Sequence, residues 1–238
     1  MSSVSATPAS ESRFAIANVG RGCLLDSRRA LVHETQGWMT VADLHHGFEL
    51  NQVRKHGTLL PQWNMAATER RLMTLLQHHK PRTLILNGDI MEGGGSVRDT
   101  ERFVNRVRDC VAELVLIEGN HDRSMVKHGL PFVRHWHIGS FVFHHGHKWQ
   151  RTLNELGDNL GIIHICGHEH PALQLNDGTG NKLKFPALIQ DRLKSHPAVE
   201  HWILPAFSPW AGGSVYESEN ERLSTWMCSA AHILPVKL

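Results

Sequence analysis

Five times in this chain a short apolar run ends in a polar cluster: Asp43-Leu44-His45, Gly88-Asp89, Gly119-Asn120-His121-Asp122, His145-Gly146 and Gly167-His168-Glu169-His170. The preceding runs, at residues 38–42, 83–86, 114–117, 141–143 and 162–166, are rich in β-branched or aromatic residues and read as buried strands. The clusters therefore fall at strand exits. In open α/β sheets ligands sit beyond the carboxyl ends of the strands, so five exits on neighbouring strands can meet at one point although their residues span much of the chain.

The residue types name the chemistry. Asp43, His45, Asp89, Asn120, His145, His168 and His170 are seven side chains able to ligate metal, and one carboxylate bridging two ions completes the roughly eight ligands a pair of ions needs. Two divalent ions about 3.5–4 Å apart activate a water nucleophile and neutralise charge on phosphoryl oxygens, which is what hydrolysis of a phosphate ester demands. Mixed imidazole and carboxylate donors suit Mn, Fe and Zn, whereas oxygen alone would favour Mg or Ca. With 19 histidines in the chain, a Gly-His-x-His match arises by chance with a probability of roughly 10%. The Gly-Asn-His-Asp tetrad falls below about 1% by the same product. It is the ordered set of five that carries the reading.

Between the clusters, residues 66–79 and 97–111 show helical periodicity, the latter with Phe103, Val104, Val107, Cys110 and Val111 on one face and Ser96 as the cap. Strand and helix alternate across residues 38–118, which builds a parallel-containing sheet. After residue 132 the pattern turns to strands, at 132–138, 140–144, 161–166, 200–204 and 231–236, and a second sheet packed on the first is expected. The 238 residues, 41% apolar and 20% charged, suffice for one sizeable domain over 13–238 behind a polar, disordered tail at 1–12. The tail lacks the apolar core of a signal peptide and no run is long enough to span a bilayer, so a cytoplasmic protein without a membrane partner is expected. Cys23, Cys110, Cys166 and Cys228 form no metal-binding or redox pair, and Cys110 and Cys166 read as buried thiols. Glu49, Arg54, Lys55 and His56 read as a solvated charged stretch. A net charge of +2 is mild for a nucleic-acid binder, and acids interleave with Arg98, Arg102, Arg106 and Arg108.

In order and in spacing the five motifs resemble those of the calcineurin-like metallophosphoesterase superfamily. The resemblance implies a four-layer α/β/β/α sandwich. Carried over residue by residue, it implies a first ion on Asp43, His45, Asp89 and His170 and a second on Asp89, Asn120, His145 and His168, with Mn²⁺ expected and Fe or Zn as alternatives. His121 is similar to the family's catalytic histidine, and Glu92 stands where one branch places the carboxylate that orients it; an ordinary exposed loop acid before Gly93-Gly94-Gly95 is the competing reading. His46, His144 and His147 adjoin the motif histidines and are expected to support or flank the ligands. The mechanism implied is in-line attack by a metal-bridging hydroxide, without a covalent enzyme intermediate.

Beyond the metal motifs, Leu25-Asp26, Arg29-Ala30-Leu31 and Leu204-Pro205-Ala206-Phe207 followed by Gly212-Gly213 look like a smaller subgroup that includes PdeM-like and archaeal SbcD-related predicted phosphoesterases. His46 and Met91-Glu92-Gly93 depart from that subgroup's pattern, and the 204–207 segment also reads as plain core packing. The subgroup implies a phosphodiester substrate, single-stranded DNA or RNA, in a DNA-repair setting with repair proteins as partners. A nucleotide, cyclic-nucleotide or sugar-nucleotide phosphohydrolase is the alternative, and a noncatalytic metal-binding scaffold is a third reading. The residues specify no oligomeric state.

Overall fold

All five predicted strands form, and each is buried along its length except at the start of the third. The computed structural model describes residues 14–57, 63–156, 162–176 and 178–236; the tail at 1–12 lies outside them. The first sheet runs in chain order from β1 to β7: β1 (Ile16–Gly20), β2 (Cys23–Asp26), β3 (Ala30–His33), β4 (Trp38–Val41), β5 (Thr83–Asn87), β6 (Glu113–Ile117) and β7 (Phe132–Val133). Strands β1 to β4 pair antiparallel, and β4 to β7 pair parallel. The parallel pairs are joined through α1 (Phe48–His56), α2 (Trp63–His79), α3 (Val97–Arg108) and the short α4 (Arg123–Lys127).

The second sheet holds β8 (His135–Ile138), β9 (Phe141–His144), β10 (Ile163–Cys166), β11 (Pro171–Asn176), β12 (Lys182–Arg192), β13 (Glu200–Ile203) and β14 (Ser214–Val215), with β15 (Glu221–Cys228) and β16 (Ile233–Val236) joined through β12. Its centre, β9, β10 and β13, is parallel. The strand expected over 132–138 is two strands that part at Arg134, one for each sheet.

Alternation along the strands assigns the layers. On β4, Met39 and Val41 face the core that also takes Leu72 and Leu75 of α2 and Phe103, Val104 and Val107 of α3. Trp38 and Ala42 face the other way, into the core shared with Phe141, Phe143, Ile163, Ile165 and Trp202 of the second sheet. There the Trp38 ring meets Phe141 and Phe143 edge-on, each at 5.0 Å between centroids. Burying each such ring contributes about 1.5–3 kcal/mol, so this contact is a main bond between the sheets. The helix α5 (Trp149–Leu156) covers the far face of the second sheet, where Leu153 packs on Leu193 and Val199. The four layers of the α/β/β/α sandwich are thus in place.

Ser96 caps α3 as predicted, its hydroxyl accepting the Asp99 N–H at 3.3 Å. The helix stops at Arg108, earlier than its apolar pattern, and Cys110 is exposed, contrary to the buried thiol expected. The backbone turns at Asp109, so the apolar spacing no longer places Cys110 on the helix face. Cys166 is buried as expected, and all four cysteines are free thiols. Arg102 pairs with Asp99 and Arg106 with Glu69, so the arginines of α3 are partly neutralised. No helix among the described residues is long and apolar enough to cross a membrane.

Candidate metal centre

The predicted residues converge. Asp43 and His45 follow β4, Asp89 follows β5, Asn120 and His121 follow β6, His145 follows β9, and His168 and His170 follow β10. Asp43, His45 and His170 bring ligand atoms within 4.8 Å of one another, and so do Asp89, His145 and His168. His170 Nε2 lies 3.3 Å from His45 Nε2 and 3.4 Å from Asp43 Oδ1. His145 Nε2 lies 3.3 Å from Asp89 Oδ2 and 3.1 Å from Asn120 Oδ1. Two neighbouring groups, each combining imidazole nitrogen with carboxylate oxygen, fit a pair of divalent ions of the Mn, Fe or Zn kind.

The backbone is held in an uncommon shape to achieve this. Asp43, His45, Asp89, His168 and His170 all take left-handed conformations, with φ of 57°, 46°, 47°, 72° and 46°. Such residues cost on the order of 1–3 kcal/mol each and persist where surrounding structure fixes them. Two glycines make the approach possible. A Cβ on Gly88 would lie 2.2 Å from His145 Nδ1, and one on Gly167 would lie 2.5 Å from Asp43 Oδ2. Each glycine of one sheet thus makes room for a candidate ligand of the other.

Hydrogen bonds set which atoms are free. The Asp43 carboxylate accepts the His168 N–H at 3.1 Å, and Asp89 Oδ1 accepts the His121 N–H at 2.9 Å. His145 Nδ1 is 3.3 Å from the Asn87 carbonyl and donates to it, which leaves Nε2 facing Asp89. His45 Nδ1 is 2.9 Å from Glu92 Oε2, which likewise leaves Nε2 toward the centre. Burial opposes charge on Asp89, but the His145 bond and the neighbouring imidazoles outweigh it and hold the carboxyl below its usual range. Burial also disfavours a charged His145, yet Asp89 and Asp43 raise it to about 9. His45 is raised against its burial by Glu92, Asp43 and Asp89. The protein atoms alone form a site that draws in positive charge.

Glu92 is buried rather than an exposed loop acid. It is held by Asn51 Nδ2, at 2.9 Å from Oε1, and its Oε2 lies 3.5 Å from His121 Nδ1 as well as on His45. Its burial opposes the charged form, but these partners lower it. Gly93 N–H donates to His121 Nδ1 at 3.3 Å, so the neutral ring carries its proton on Nε2, 4.0 Å from Asp89 Oδ2. The His121 side chain is 34% exposed and can meet a solute.

The flanking histidines separate. His46 bonds Thr100 Oγ1 and Glu69 and stacks on Phe103, away from the centre. His144 points to the outer face of its sheet, against His164 and His201. His147 stays near, its ring centroid 5.3 Å from that of His145 and 6.1 Å from that of His168. Burial and the charge on His145 push it down to about 4. The charged stretch is mixed: Glu49 is buried, while Arg54 reaches the Gly94 carbonyl.

Two supporting residues, Asn51 and Asn87, lie outside the motifs, and a third, Asp122, ends one of them without an assigned role. Asn51 carries no local signal. Asn87 precedes the Gly-Asp motif, and its amide spans the sheets to the Ile165 carbonyl at 3.1 Å. Asp122 accepts the amides of Gly119 and Met91 at 2.9 Å each and closes the motif loop; burial pushes its carboxyl up to about 7. The segment from Leu204 is core, as read, and more: the amides of Phe207 and Ser208 bond the carbonyls of Ala42 and Asp43.

Fold and site together define a metal-dependent phosphoester hydrolase. The calcineurin-like phosphoesterase profile matches residues 39–230, and the chain belongs to that family. Among solved structures the chain is similar to a nuclease MPE of Pseudomonas putida, with 22% identity, a TM-score of 0.63, and 94% of this chain and 100% of that one covered. At that identity the likeness is one of fold. It also matches Yfce, a phosphoesterase from E. coli, with 17% identity and a TM-score of 0.41 over 80% of this chain and 86% of that one. No curated protein sequence matches the chain.

Proposed function

We propose that this chain is a two-ion phosphodiesterase that cuts single-stranded nucleic acid, DNA or RNA. The observation that carries the two-ion reading is the pair of adjoining donor groups, Asp43 with His45 and His170, and Asp89 with His145 and His168. In this reading Asp43, His45, Asp89 and His170 hold one ion, and Asp89, Asn120, His145 and His168 hold the other, with Mn²⁺ the expected metal. A bound pair of divalent ions supplies an activated water and offsets charge on the phosphoryl oxygens.

The chain's own residues do the rest. His121 Nε2 carries the ring proton and faces the leaving oxygen, where it stabilises or protonates the developing charge. Gly93 fixes that tautomer. Glu92 is chiefly the partner of His45, which it orients as a ligand, and its Oε2 also lies 3.5 Å from His121 Nδ1.

An anionic substrate is supported by Arg134, Lys148 and Arg151 beside His145 and His147, although Glu118 and Glu155 lie among them. Arg134 and Arg151 share Glu155, and Lys148 has no acidic partner among the described residues. The likeness to the Pseudomonas putida nuclease points the same way. A role in DNA repair, with repair proteins as partners, belongs to this reading. The test is digestion of an end-labelled oligonucleotide, single-stranded and as duplex, beside a panel of cyclic nucleotides and sugar nucleotides in Mn²⁺. Preferential cutting of the single strand, lost in His121→Ala, is expected. Hydrolysis confined to the small nucleotides overturns the substrate and leaves the two-ion reading standing.

A further inference from the structure

Away from the centre, a cavity of about 360 Å³ is lined by Arg28, Arg29, Arg71 and Lys184, with Phe14 and Phe185 among its apolar walls. Its charges do not balance. Arg28 is neutralised by a two-pronged bond to Asp26, and that same carboxylate is taken also by His79. Among the described residues Arg29 bonds the carbonyls of Ala206 and Ser208, each at 3.0 Å. Arg71 donates to the Phe207 carbonyl and lies over the Phe207 ring, and its Nε is buried without a partner among the described residues. Lys184 reaches the Gly213 carbonyl at 3.3 Å. Among the described residues no carboxylate pairs with Arg29 or Arg71.

Two adjacent guanidiniums partly withdrawn from water without a counter-charge are costly, because neutral carbonyls replace only part of the lost hydration. Burial, then the nearby Arg29 charge, pull Arg71 down to about 9, and burial likewise lowers Arg29. Arginine remains protonated at neutral pH all the same, so the imbalance stays. The planar forks of guanidinium match the oxygens of an oxyanion.

We propose that this cavity is an anion site separate from the hydrolytic centre, taking a phosphate group whose two negative charges balance Arg29 and Arg71, with Lys184 at its mouth. The apolar walls give room for an organic substituent on that phosphate. The site shares no residue with the metal centre but adjoins its scaffold. The carbonyls of Ala206, Phe207 and Ser208 bond the two arginines, while the amides of Phe207 and Ser208 bond Ala42 and Asp43.

The test is calorimetric titration of inorganic phosphate into the full chain, stripped of metal and carrying Asp89→Asn so that the hydrolytic centre offers no ions to phosphate. One phosphate per chain is expected. Arg71→Gln should weaken binding by about 10-fold or more, the worth of a charge-assisted hydrogen bond, with the fold checked by thermal melting. Lys184→Gln, an exposed side chain, should weaken it about 2- to 5-fold and keeps the test decisive if Arg71→Gln does not fold. Absence of binding up to about 10 mM phosphate, on the order of 3 kcal/mol at most, overturns the proposal, as does binding indifferent to both substitutions. The readout is binding alone, so it stands apart from the nuclease assignment.

Discussion

The two sheets contribute different halves of the centre. The first supplies the oxygen, from Asp43, Asp89 and Asn120, and backbone amides pin the two carboxylates in place. The second supplies imidazoles of graded access: the side chain of His145 is fully buried, while that of His170 is 24% exposed. One half therefore fixes negative charge at the floor, and the other brings nitrogen donors up to it and leaves the opening. The division teaches that neither sheet alone makes the site, and that the contact between them is as much a determinant as the motifs.

The largest effect should come from breaking the floor. Asp89→Asn should abolish uptake of both ions and lower turnover on the order of 10³-fold, whereas His168→Ala should cost one ion; metal analysis of both variants decides. Equal losses would erase the distinction between the sheets. His121→Ala should keep both ions and lose about 10²-fold in turnover, within the range of general acid catalysis. Gly167→Ala sharpens the comparison, because it touches only the join. Its Cβ would strike Asp43 and Ala42, and metal affinity should fall by about 10- to 100-fold with the fold retained.

The acidity of the second sheet's histidine gives a pH dependence. Without ions His145 titrates at about 9, and it must lose its proton to ligate, so protons compete with metal below that pH. Affinity for Mn²⁺ should therefore rise from pH 6 to pH 8, by roughly 10-fold or more from this group, and a flat titration would show that His145 is not a ligand. The smallest effect is expected from Glu92→Gln, which keeps the shape but removes the charge beside His45 and His121. A loss of about 10-fold in turnover, with a shifted pH profile, would separate an orienting role from mere packing.

Much of this was legible in the residues. Strand exits carrying Asp, Asn and His are marked because a polar cluster must end an apolar run, and all five appear where the pattern puts them. The meander β1 to β3 was not read as strands, since its runs are short and its turns rest on Arg21 and Arg29 in left-handed conformations that no composition rule announces. Glu92 reads from the residues both as an orienting carboxylate and as a loop acid beside three glycines; the packing of α1, which delivers Asn51, buries it. Cys110 fitted the helical period but lies past the helix end. The arginine cavity draws on residues from position 14 to 230, and a sum of charges at such separations is a property of the fold.

The most direct test is hydrolysis of bis(p-nitrophenyl) phosphate against p-nitrophenyl phosphate in Mn²⁺, with metal-stripped protein and His121→Ala as controls. A preference for the diester that disappears in both controls is the predicted result. Full activity of the stripped protein, or no turnover of either substrate with two ions bound, would contradict a two-ion phosphodiesterase.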